Sequence, residues 1–98
     1  MRMVRVDEKV AVSVDRSGSP IGFSWRDGHY LVSSKPVRWF ARRQWWIESA
    51  RVQRGIGAGV LEVEMWRVMA ENSKKPACQY EFVHDALTDT WRLTRIYE

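Results

Sequence analysis

Apolar residues in this chain recur at every second position more consistently than at every third or fourth, which is the period of strands. Val10, Val12 and Val14 alternate with Lys9, Ala11, Ser13 and Asp15, so a half-buried strand is predicted over 9–15. Residues 1–8 read as a short flexible arm. Arg16-Ser17-Gly18-Ser19-Pro20 ends the pattern, because glycine supplies positive φ and proline cannot donate to a ladder. Ile21, Phe23 and Trp25 form the next inward set, then Asp27-Gly28, then His29-Tyr30-Leu31-Val32. Asp-Gly is a favoured centre for a two-residue type I′ hairpin. With that pair at the turn, Arg26 faces His29, Trp25 faces Tyr30 and Phe23 faces Val32, and the large apolar groups share one side.

Pro36 interrupts the run, as at a bulge or an edge. Beyond it, Val37 to Ile47 supports two readings. As a strand, Val37, Trp39 and Ala41 share a face; as a helix, Trp39, Arg42, Arg43 and Trp46 do. Aromatic and β-branched enrichment without a good N-cap favours the extended form. Gln53 to Gly59, with glycines at 55, 57 and 59, reads as a mobile loop. Leu61, Val63 and Met65 then alternate in one phase, and Trp66, Val68 and Ala70 in the other. A one-residue slip would turn half of that strand outward, so a β-bulge is expected between Met65 and Trp66. After a loop over 72–76, Cys78, Tyr80 and Phe82 point inward; a turn over 85–90 leads to Trp91, Leu93 and Ile96-Tyr97. The pattern predicts a mainly β domain over 1–98, with five to seven antiparallel strands in a meander. At this size it should curl into a bent sheet or a partly open small barrel.

Charge sharpens the picture. The 98 residues carry a formal +4, and from Lys35 to Arg54 six basic residues face a single acid, Glu48. The rest of the chain sums to −1, so the basic character is local to the segment holding Trp39, Trp45 and Trp46, half of the six tryptophans. Arginine beside exposed indole suits nucleic acid, through phosphate contact, base stacking and cation–π attraction. It equally suits a protein interface. The bland alternative puts Trp39, Trp45 and Trp66 in the core under snorkelling arginine stems. The candidate binding residues are Arg38, Trp39, Arg42, Arg43, Trp45, Trp46, Arg51 and Arg54, for a protein or nucleic-acid partner.

Catalytic chemistry has little support. His84-Asp85 reads as a turn cap and His29 as exposed beside a tight turn. Cys78 reads as a small core hydrophobe. An enzyme would need Cys78, His84 and Asp85 to converge. One cysteine and two histidines make no zinc spacing, so neither metal nor cofactor is expected. Glu62 and Glu64 read as solubilising carboxylates on a solvent face. Arg54-Gly55-Ile56-Gly57-Ala58-Gly59 lacks phosphate-loop spacing and precedes a strand. A single cysteine forms no internal disulfide, and no apolar run approaches the roughly 18 residues of a membrane span. A soluble, cytoplasmic protein is expected.

Trp39, Trp45-Trp46, Trp66-Arg67, Tyr80, His84-Asp85 and the terminal Trp91-Arg92-Leu93-Thr94-Arg95-Ile96-Tyr97-Glu98 resemble a family of small uncharacterised actinobacterial proteins. The same order is similar to the tail of ImuB-type proteins, inactive Y-family polymerase relatives of the bacterial mutasome. The resemblance covers roughly residues 22–98. It implies a non-catalytic accessory role linked to DNA repair or translesion synthesis. The chain is expected to depart from the ImuB arrangement by standing alone without a polymerase body.

Overall fold

The computed structural model describes residues 2–44 and 60–98, with side chains described for 2–41 and 63–98. Seven strands run in chain order: β1 (Met3–Val14), β2 (Pro20–Trp25), β3 (Gly28–Val32), β4 (Val37–Gln44), β5 (Val60–Asn72), β6 (Lys75–Asp85) and β7 (Thr90–Tyr97). All pairings are antiparallel, in the order β3-β2-β1-β7-β6-β5-β4, and a further β3–β5 pairing closes six strands into a barrel with β4 outside it. No helix among the described residues is long and apolar enough to cross a membrane.

Closure follows from one interrupted strand. β3 and β4 lie along the same edge of β5, with Val32 opposite Ala70 and Val37 opposite Arg67. Four residues, 33–36, therefore span two on β5. That excess includes Pro36, which has no N–H to donate, and it lets β4 leave the barrel while β3 stays in it. The segment from Val37 to Gln44 is extended, as the β-branched and aromatic content favoured. Residues 45–59, which include the glycine-rich 53–59 stretch, lie outside the described residues.

The core is aromatic. Phe23 stacks on Tyr30 at 4.8 Å and 8°, and meets Tyr80 and Phe82 edge-on at 5.0 Å each. Tyr80, Phe82 and Leu93 are completely enclosed. Seven buried aromatic side chains, Trp25, Trp66 and Trp91 among them, give a small barrel enough apolar area to hold its shape. Cys78 packs half-buried against this cluster.

Several local expectations shift. Residues 3–8 are no arm but the first half of β1, paired with β7 from Met3–Tyr97 onward. The β2–β3 turn centres on Arg26 and Asp27, both at positive φ (48° and 65°), so Phe23 faces Tyr30 and Trp25 faces Gly28. Moving a turn by one residue shifts the register by two, which preserves the faces; Phe23, Trp25 and Tyr30 remain inward. Gly28 serves packing instead of the turn, since a Cβ there would sit 3.2 Å from the Tyr30 ring. Ile21 is half exposed because the β1–β2 register steps from Ser13–Gly22 to Val14–Pro20, leaving Ile21 as the extra residue and burying Pro20.

The bulge expected at Met65–Trp66 is absent. β5 pairs without a break with both neighbours there, and Met65 and Trp66 are each 5% exposed. Hydrophobic phase changes mid-strand because the covered face changes, from the outer side of the sheet at Met65 to the barrel interior at Trp66. The β5–β6 register steps later, between Ala70 and Asn72. The loop expected over 72–76 is a tight turn at Ser73-Lys74, where the Asn72 side chain accepts from the Lys74 and Lys75 N–H groups.

Candidate functional site

The outer face of the sheet formed by β1, β7, β6, β5 and β4 is hollowed into a groove of about 980 Å³. Two lateral rows of directly paired residues make its floor. One runs Lys9–Arg92–Val83–Met65–Trp39, in order β1, β7, β6, β5, β4, and the other Arg5–Arg95–Glu81–Arg67, in order β1, β7, β6, β5. Four cations therefore collect on β1 and β7, while Met65, Trp39 and a fifth cation, Arg67, stand on β5 and β4.

Two bulges at one level create the cationic side. Between Arg5 and Glu8 on β1, and at Thr94 on β7, the registers step. Asp7 takes a positive φ of 59°, which a short polar side chain tolerates. The extra residue on β7 turns Arg92 and Arg95, three positions apart, to the same face, with Leu93 and Ile96 both buried behind them. Thr94 Oγ1 donates to the Glu81 carbonyl at 3.0 Å.

Glu81 anchors the floor. It is 3% exposed, and its carboxylate accepts from Tyr97 Oη at 3.2 Å and from Arg67 and Arg95 at 3.4 Å each. The Arg67 guanidinium lies 5.0 Å from the Trp39 ring centre and 5.8 Å from that of Tyr97. Arg67 Nε is buried without a hydrogen-bond partner, a cost offset by the two rings and the carboxylate around the same group. Arg92 bonds the Asp7 carboxylate and carbonyl at 3.0 and 2.9 Å. Arg5 and Lys9 have no hydrogen-bond or ion-pair partner among the described residues. Five cations and three carboxylates (Asp7, Glu81, Asp85) border the groove, a surplus of two positive charges.

The opposite side of β4 and β5 carries a second polar cluster. Glu64 accepts from the Trp66 indole at 2.7 Å, lies 3.1 Å from His84 Nδ1 and reaches Arg38 at 3.7 Å. His84 Nε2 meets Asp89 at 2.9 Å, and the ring stacks on Trp91 at 4.2 Å. Burial pulls the His84 imidazolium down, but the Asp89 and Glu64 carboxylates more than offset it and hold it above its ordinary value. Both ring nitrogens are thus engaged, and no group of three acidic, histidine or cysteine side chains among the described residues could hold a metal ion.

Of the expected binding residues, Trp39 alone is shown in the groove. Arg38 projects to the other side, beside Glu64 and within 5.6 Å of the Phe40 and Trp66 ring centres. Arg42 and Arg43 occupy β4, paired in register with Glu62 and Leu61. Trp45, Trp46, Arg51 and Arg54 lie outside the described residues. Trp66 is core, and Glu64 is enclosed in the histidine cluster instead of solubilising a free face. The Asp85 side chain caps its turn by accepting from the Leu87 N–H, whereas His84 is a partner of Glu64 and Asp89. Cys78 and His84 stand six residues apart on β6, roughly 20 Å, so Cys78, His84 and Asp85 do not converge. Arg5, Lys9, Arg67, Glu81, Arg92, Arg95 and Tyr97 line the groove and lie outside the segment that the sequence singles out. The spacing of Arg92 and Arg95 against Leu93 and Ile96 was the available signal.

The architecture defines an all-β domain, a closed six-stranded antiparallel barrel flanked by one outer strand. Over residues 1–98 the chain matches the family described as Domain of unknown function (DUF6504), and it belongs to that family. No curated protein and no solved structure matches it.

Proposed function

We propose that this domain is a non-enzymatic accessory module that holds single-stranded nucleic acid in the groove, as part of a cytoplasmic DNA-repair or translesion assembly. One observation supports it most: Trp39 shares a concave surface with Arg5 and Lys9, two cations without acidic partners among the described residues. Free cations attract phosphates, and an indole offers a stacking platform that any base can use. The terminal motif's similarity to the ImuB-type tail supplies the repair context, and the lone Cys78 fits a reducing compartment.

A second reading, a protein-docking domain, draws on β4. Val37 and Phe40 are each 55% exposed there, and β4 pairs only with β5 among the described strands. Titration of labelled oligonucleotide at two ionic strengths separates the two. Nucleic-acid binding should lose about 0.7 log unit of affinity per decade of salt for each phosphate held, and Arg5→Gln should weaken it. Absence of binding at low salt would refute it and leave the β4 reading, which Phe40→Glu should abolish in a partner pull-down.

A further inference from the structure

The two lateral rows are not symmetric across the sheet, and that asymmetry specifies how a strand would lie. Lys9, Arg92, Arg5 and Arg95 stand on the two adjacent strands β1 and β7. Met65 and Trp39 stand on β5 and β4, with Val83 between the two sides. Five strands span about 19 Å at their usual spacing, so these four cations stand well apart from Trp39, and the one cation beside that indole, Arg67 on β5, is engaged by Glu81. Met65, at 5% exposure, is a closed floor beneath the half-buried Trp39. Arg67 covers at most one face of that indole, held there by Glu81.

Resting on the groove's assignment to single-stranded nucleic acid, we infer that the strand binds in one orientation across the sheet. Its phosphates follow β1 and β7, and its bases turn toward Trp39 on β4. The carboxylates fit this division. Asp7 is occupied by Arg92, Glu81 by Arg67, Arg95 and Tyr97, and Asp85, at the end of β6, by the Leu87 N–H, so none meets the phosphate track as a bare charge. A paired duplex has its bases turned inward and gives Trp39 nothing to stack on. The ligand class is therefore a base-bearing single strand, distinguished from duplex and from polyanions in general.

The experiment is fluorescence anisotropy of the full chain with a thymidine oligonucleotide, an abasic strand of equal length and a duplex, at two salt concentrations. Loss of the bases should weaken binding roughly 5- to 150-fold, the range of one base–aromatic stack. Trp39→Ala should lower thymidine affinity by the same factor and leave abasic affinity unchanged. Arg5→Gln and Lys9→Gln should each reduce the salt slope by about 0.7 and leave the thymidine-to-abasic ratio alone. Thymidine and abasic strands binding equally would overturn the orientation while leaving nucleic-acid binding intact; no binding of any strand would remove both. Arg5 and Lys9 are exposed, so their variants keep the test decisive even if Trp39→Ala unfolds the barrel.

Discussion

Glu81 gives the sharpest test, because stability and binding should move in opposite directions when it is changed. Its carboxylate is 3% exposed and holds Tyr97, Arg67 and Arg95 together on the groove floor. Breaking a fully buried ion pair costs about 3–5 kcal/mol, since the remaining partner is stranded without compensation. Here the arginines are 42% and 39% exposed and sit at 3.4 Å, so water recovers much of their solvation. Glu81→Ala should therefore cost about 2 kcal/mol, and Glu81→Gln, which keeps an acceptor oxygen, about half of that. For a domain near this size, each kcal/mol lowers Tm by about 4–8 °C. The groove would meanwhile gain a positive charge. Glu81→Gln should bind oligonucleotide a few-fold more tightly at low salt, with the gain fading once the Debye length falls well below about 10 Å. Thermal melts followed by near-ultraviolet circular dichroism and anisotropy titrations of the same sample read both effects. An unchanged Tm would show that Glu81 does not brace the floor. Affinity falling together with Tm would show that the carboxylate contributes to binding, contrary to the charge arrangement described here.

Two further outcomes follow from the packing. His84 titrates above its ordinary value of 6.5 because two carboxylates outweigh its burial; the stability it contributes is complete below that value and is lost as pH rises through the folded value. Melts between pH 6 and 9 should show Tm declining across this window, and His84→Gln should remove that decline; a slope that persists in the variant would exclude His84 as its source. Gly22→Ala places a Cβ 2.9 Å from the Tyr30 carbonyl oxygen, a backbone atom that cannot swing aside. Denaturant unfolding should show a loss of about 1–3 kcal/mol, and an unaltered midpoint would mean that the β2–β3 pair separates more easily than its stacked rings imply.

Period-two alternation was enough to establish from the residues alone that this is an antiparallel β domain, with Phe23, Trp25, Tyr30, Tyr80, Phe82, Trp91 and Leu93 inside. Each of those positions depends only on which face of its own strand a side chain occupies, and that is a local property. The local surplus of charge around Trp39 was equally legible. Only the tertiary structure decided which distant strands lie side by side. It placed Trp39 beside Arg67 and aligned Lys9 with Arg92, and it sent Arg38 to the far side with Glu64. It also showed that the phase change at Met65–Trp66 marks a strand covered on both faces, not a bulge. Alternation along one strand cannot report what covers either face, because that depends on neighbours brought near by closure of the barrel.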